Sequence, residues 1–162
     1  MEQKEAINYI NLDNRFKDLN CIEPSTFCFL PENIEDAKSM DEFIYTDNAL
    51  VLRKLFKANN LPEERLHDNI SKTRQRRSAD WYGPTLFIGY SLWTQNPNMV
   101  SIGLSVIANY VTDFFKGSFG EKKIKLEIVI ETTPKKIYKK LTYEGDAQGL
   151  KNIEDLIKKM TK

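Results

Sequence analysis

Two stretches hold side chains whose types and spacing suit ligand binding. In "SKTRQRRSADWY", residues 71–82, Lys72, Arg74, Arg76 and Arg77 run up to Asp80, Trp81 and Tyr82. Cationic groups beside aromatic rings suit a ligand with phosphates and a flat base, the combination used by single-strand nucleic-acid binders. A solvated loop whose arginines pair with acidic neighbours is the plainer reading of the same residues. In "SLWTQNPN", residues 91–98, a strand end meets a helix start. There the free N–H groups, with Trp93, Gln95 and Asn96 around them, could receive an anion or a ring, as crevices of open α/β sheets do. Capping by Asn96, with Trp93 covering core, accounts for them equally well. The candidate ligand-binding residues are therefore Arg74, Arg76, Arg77, Trp81, Tyr82, Trp93, Gln95 and Asn96, and Trp81 and Trp93 would share a site if the loop folded over the sheet.

Residues for covalent or acid–base chemistry are fewer. The one histidine, His67, lies in the charged connection "ERLHDNISKTRQRR" and reads as a solvated side chain, since a general base needs a positioned partner. Cys21 and Cys28 stand in or beside apolar sequence without the electropositive setting that favours a thiolate, and read as reduced and partly buried. Structural zinc needs about four Cys or His ligands, more than these three residues supply. A hydrolase built on carboxylates would draw on Asp80, Glu127 and Glu131, and acids on the outer face of a strand are ordinarily just solvated. The glycines and lysines of "GSFGEKK" precede a strand, whereas a phosphate loop opens a helix. No catalytic residue, metal ligand or cofactor is assigned.

The elements that must position these groups follow from composition and periodicity. The chain has 162 residues, 41% of them hydrophobic, with 24 basic and 23 acidic residues and a net charge of +1, so no global field recruits nucleic acid or anionic lipid. Its first ten residues, "MEQKEAINYI", carry three charges and no secretory h-region, which points to the cytoplasm. Residues 81–112 lack charge, but Thr94, Gln95, Asn96, Pro97 and Asn98 interrupt them, leaving pieces too short to span a bilayer. "TLFIGYSL" (85–92), entered through Gly83-Pro84, reads as a buried strand, and 97–116 as a buried central helix with Pro97 at its first position.

"KIKLEIVIE" (123–131) alternates as a half-buried strand, and "IYKKLTY" (137–143) completes a hairpin whose lysines suggest a sheet edge. Asp146 can cap a closing helix carrying Leu150, Ile153, Ile157 and Met160. Earlier in the chain, "STFCFLP" (25–31) reads as a short strand and 48–61 as a helix burying Leu50, Val51 and Leu55, with Phe56 a further candidate; a helix over about 2–18 is a further option. The polar connections 32–47 and 62–80 are long enough to be functional or to hide an element. The expected fold is a single α/β or α+β domain over 1–162 with a mixed sheet of about four strands. Residues 1–80 form an irregular half, and 81–162 a strand–helix–hairpin–helix core.

The order of "MVSIGLSVIANYVTDFF", "KIKLEIVIE", "IYKKLTYEGD" and "GLKNIEDLIKKM" resembles the effector-associated constant component family of small prokaryotic modules. The resemblance covers about 99–160 and transfers no site residue. It implies a part in bacterial antiphage systems, coupling sensing components to effectors without catalysis. The expected function is thus a non-catalytic interaction or regulatory module with a protein partner or a second copy. A nucleotide- or nucleic-acid-binding sensor stands as the alternative, and a carboxylate-dependent hydrolase behind it.

Overall fold

A computed structural model describes residues 3–67, 72–74, 81–117, 123–150 and 152–160. In chain order the elements are β1 (Gln3–Asn8), α1 (Leu12–Asp18), β2 (Phe27–Leu30), β3 (Ile44–Thr46), α2 (Asp47–Ala58), β4 (Glu63–Glu64), β5 (Lys72–Arg74) and β6 (Trp81–Ile88). Then follow α3 (Tyr90–Gln95), α4 (Pro97–Phe114), β7 (Ile124–Thr133), β8 (Ile137–Gly145), α5 (Ala147–Leu150) and α6 (Ile153–Met160). Six strands form one mixed sheet in the order β1-β8-β7-β6-β2-β4, and β3 pairs with β5 in a separate parallel ladder.

The alternation of β7 sets the layers. Ile124, Leu126, Ile128 and Ile130 are buried on one face, in register with Trp81, Leu86 and Ile88 of β6 and with Tyr143 and Leu141 of β8. Helices cover this face because it is apolar throughout. Phe56 of α2 meets the rings of Phe27 and Phe29 edge-on at 5.1 and 5.0 Å. α4 crosses at Gly103, where an added Cβ would come within 2.7 Å of the Phe27 ring, so glycine sets the helix–sheet distance. α5 and α6 pack on α4, and Leu150, Ile153 and Ile157 are buried there. Asp146 caps α5 by accepting the Gly149 N–H at 2.7 Å, but the single closing helix expected after it is divided into α5 and α6.

The opposite face is covered over only part of its area. The Phe16 ring of α1 meets Phe87 of β6 edge-on at 6.4 Å, and Phe87 meets Tyr138 at 6.2 Å. Arg15 donates to the carbonyls of Ile34 (2.9 Å) and Ala37 (2.5 Å), fastening the connection after β2 over the sheet.

Several expectations are corrected. The sheet has six strands rather than about four, because β1 and β4 add to the two edges. The option of a helix over 2–18 resolves into β1 followed by a shorter α1; "QKEAIN" has no strand pattern of its own, and it is extended because β8 offers it a row of backbone bonds. β8 is consequently an interior strand, and the hairpin is not at the edge. The connections 32–47 and 62–80 hold β3, β4 and β5.

On α2 the fully buried side chains are Ala49, Leu52 and Phe56, while Val51 is exposed and Leu50 and Leu55 are half-buried, so Phe56 lies where expected and Ala49 and Leu52 take the places expected of Leu50, Val51 and Leu55. α4 is not enclosed: Val100, Leu104, Ile107 and Val111 are buried, but Ile102 is 44% and Phe114 52% exposed. No helix among the described residues is long and apolar enough to cross a membrane.

Candidate functional site: a polar cleft on the open face of the sheet

Strand β6 contains an irregularity at its most unusual dipeptide. Tyr82 is in register with Lys125 and Thr85 with Glu127, so three steps along β6 match two along β7 and one extra residue bulges out at Gly83-Pro84. Pro84 lacks the N–H for a central ladder, but β2 pairs with β6 only as far back as Thr85, opposite Leu30 before Pro31, so no strand needs that donor. Gly83 is required by packing: a Cβ there would fall 2.6 Å from the Trp81 ring and 2.7 Å from Leu126. Bulges re-aim side chains, and this one sends Tyr82 and Thr85 to the same side.

On that side lies a cleft of about 280 Å³, lined by Glu32, Tyr82, Gly83, Thr85, Lys125, Leu126, Glu127, Thr142, Tyr143 and Glu144. Leu126 and Tyr143 belong to the buried face, so their backbone forms the floor. The Lys125 ammonium lies 4.9 Å from the centre of the Tyr82 ring and donates to its hydroxyl at 3.2 Å, a cation–π contact that fixes the ring at the rim. Asn48 holds the backbone behind it, donating to the Tyr82 carbonyl at 3.2 Å while accepting from the Tyr110 hydroxyl at 3.3 Å. Glu127 accepts from Thr85 Oγ1 at 3.4 Å.

Each carboxylate of the cleft has a cation beside it at a distance beyond hydrogen bonding: Lys140 from Glu127 at 3.8 Å, Lys123 from Glu144 at 3.7 Å and Arg74 from Glu32 at 3.8 Å. Pairs of that length at a surface are weak, so Glu127 and Glu144 remain acceptors for an incoming donor, while Glu32 is engaged further. The cleft thus presents three carboxylates, two threonine hydroxyls, one ammonium and one aromatic ring. Among the described residues no three His, Cys, Asp or Glu side chains are placed to hold a metal ion.

The expected ligand residues are distributed as follows. Arg74 ends β5 and reaches the cleft through Glu32, and Tyr82 lines it. Arg76 and Arg77, like Asp80, lie outside the described residues. Trp81 is buried on the opposite face, 6.2 Å from the Tyr110 ring, so it faces core rather than a stacking ligand. Trp93 donates its indole N–H to the Glu131 carbonyl at 2.9 Å and meets Tyr90 edge-on at 5.1 Å, an anchoring role. Gln95 and Asn96 are exposed, and the Asn96 side chain makes no capping bond. Trp81 and Trp93 are separated by the length of β6, about 23 Å at ~3.3 Å per residue, and do not meet.

The strand expected over 85–92 ends at Ile88, and 90–95 form α3, so no strand end meets a helix start at 91–98. Glu131, buried, accepts the Tyr90 N–H at 2.9 Å at the start of α3 and lies 3.6 Å from Lys136. The chain's own carboxylate therefore serves the start of α3, one helix before the start of α4 where an external anion was expected. Glu127 and Glu131, four residues apart on one strand, are about 13 Å apart at ~3.3 Å per residue, too far to act as a pair.

The remaining reactive groups serve packing. His67 is half-buried rather than solvated, 3.2 Å from the Tyr45 hydroxyl and 5.5 Å from the Phe43 ring. Burial pushes the Cys21 thiol up to about 11 and the fully buried Cys28 higher still, so neither is a thiolate near neutrality. Burial also raises the Tyr45 hydroxyl; Arg53 lies 4.7 Å from its ring and pairs with Glu63 at 3.2 Å. Burial raises Glu63 in turn, against the pull of Arg53.

Sequence reasoning missed Glu32, Thr85, Lys125, Thr142 and Glu144. The available signal was Gly-Pro within an apolar strand, which was read as the entrance to the strand. Comparisons with protein-family models, curated proteins and solved structures found no match.

Proposed function

We propose that this chain is a non-catalytic interaction and regulatory module that reads a polar segment of a protein partner in the cleft on the open sheet face. The observation that carries the proposal is the lining itself, two loosely paired carboxylates, Glu127 and Glu144, and two hydroxyls around a ring held by Lys125. Such a lining takes up N–H donors and cationic side chains. The described cations around the cleft already have partners, Lys140 by Glu127, Lys123 by Glu144, Arg74 by Glu32 and Lys125 on Tyr82, and a chain of phosphates would have to displace them, which favours this reading over the nucleotide or nucleic-acid sensor. The 13 Å span between Glu127 and Glu131, with Glu131 committed to α3, favours it over a carboxylate-dependent hydrolase. The resemblance of 99–160 to the effector-associated constant component family supports placing the module in the cytoplasm, as a bacterial antiphage component.

A peptide array probed with the labelled chain tests this. Binding should concentrate on peptides with Lys, Arg or amide side chains, and fall at least tenfold in a Tyr82→Ala, Glu127→Gln, Glu144→Gln variant that keeps its thermal midpoint. Equal binding by the variant would remove the cleft from the mechanism. Thermal stabilisation by a nucleotide panel, with no selective peptide binding, would transfer the proposal to the sensor.

A further inference from the structure

The two edges of the sheet differ in what they offer. β4 closes one with two residues, whereas β1 forms the other with six, and no described strand pairs with its outer side. Glu5, Ala6, Ile7 and Asn8 are all exposed, Ile7 at 45%, and Ile10 beyond them is 39% exposed. A long edge with unspent N–H and C=O groups is a template for another strand unless charge, proline or a bulge blunts it, and residues 5–8 hold one charge and no proline.

Register tells which groups are unspent. Tyr9 donates its N–H to the Tyr138 carbonyl at 3.1 Å, continuing the antiparallel register that sets Asn8 against Lys139 and Ile7 against Lys140. Alternation then turns the backbone groups of Glu5, Ile7 and Tyr9 towards β8 and those of Lys4, Ala6 and Asn8 outwards. A second β1 must bond through these even-numbered residues, which leaves two-fold axes at Glu5, Ala6 or Ile7. An axis at Glu5 sets that carboxylate against its own copy, and an axis at Ala6 sets Ile7 against Glu5. An axis at Ile7 joins the two exposed isoleucines as a non-hydrogen-bonded pair, where side chains approach most closely, and bonds Ala6 to Asn8 on either side.

The same axis places Glu5 opposite the second copy's Tyr9, whose ring carries the Lys140 ammonium 5.1 Å from its centre. Glu5, Ile7 and Lys140 share one face of the sheet, so each carboxylate meets a cation of the other copy, twice by symmetry. We propose that two copies of this chain associate through antiparallel β1 strands about an axis at Ile7, joining their sheets into one. This does not rest on the cleft, which lies nearer the centre of each sheet.

Sedimentation velocity over a concentration series, with oxidative cross-linking, tests the pairing. The wild type should reach the mass of two chains, and Ile7→Lys should halve that mass with an unchanged thermal midpoint, because the side chain is exposed and the β1–β8 bonds stay intact. Ala6→Pro removes an outward N–H and should do the same. Ile7→Cys should give a covalent dimer on mild oxidation, at a yield several-fold above Asn8→Cys. A wild type that stays monomeric up to its solubility limit, a dimer that survives Ile7→Lys, or equal cross-linking at residues 7 and 8 overturns the proposal. None of these outcomes alters the peptide-array result, so the two proposals fail separately.

Discussion

The helix-covered face of the sheet and the face opposite it are made by the same three strands, β6, β7 and β8, yet they are built on different terms. On the covered side Trp81, Leu86, Ile128, Leu141 and Tyr143 are buried against helices, with Gly103 setting the approach of α4. On the other side the alternate residues Tyr82, Thr85, Lys125, Glu127, Thr142 and Glu144 line the cleft and touch one another through weak polar contacts. One set of strands therefore divides its labour by parity. The covered side is core, whereas on the other a buried group of Phe16, Phe87 and Tyr138 stands beside a cleft whose residues can change their chemistry at small energetic cost.

The largest expected effect breaks the covered side. Phe27→Ala removes a ring packed on Phe56 and Gly103 and should lower unfolding stability by about 3–5 kcal/mol in denaturant titration. Next comes the internal anion: Glu131→Ala strips α3 of its charged acceptor and should cost about 1.5–3 kcal/mol, with loss of the Trp93 environment visible in fluorescence.

A smaller effect depends on pH. Burial alone would raise Glu64, but hydrogen bonds from the hydroxyl and N–H of Thr26 (2.6 and 2.8 Å) and from the N–H and hydroxyl of Ser25 (2.9 and 3.2 Å) outweigh it and hold the carboxyl below its ordinary value. A group lowered on folding stabilises above its unfolded pKa, about 4.3, and loses that contribution as pH falls through the lower folded value. Glu64→Gln should accordingly flatten the acid limb of the stability curve. The smallest effect lies in the cleft, where Thr142→Val should change stability by about 0.5 kcal/mol or less. A cost like that of Phe27→Ala would mean that the two faces are not separate in function.

Strands β2, β7 and β8 and helices α2 and α4 were legible from their apolar patterns, β6 only from Thr85 onwards and with its end carried into α3, and Pro97 marked the start of α4 where it stands. β1, β3, β4 and β5 were not, since six, three, two and three residues of mostly polar sequence have no periodicity to read and are extended only by the neighbour they pair with. The candidate site was legible at Tyr82, at Glu127 and, through Glu32, at Arg74. Lys125, Thr142 and Glu144 looked like the solvated side of strands, and only the spatial meeting of three strands makes them a lining. Glu131 was read as a solvated or catalytic acid because its partner, the Tyr90 N–H, is 41 residues away in the chain.

The extra residue at Gly83-Pro84 carries one more consequence. It puts the later part of β6 half a period out of step with Trp81 and Tyr82, which is how Trp81 and Leu86, five positions apart, come to lie in the same layer. Pairing the same length of chain without the bulge would turn the tryptophan towards water or exchange Leu86 with Phe87 between layers, whereas a chain shortened by that one residue would run as a regular strand with both still in one layer. Natural variants of this segment should therefore accept the loss of a single residue at this point.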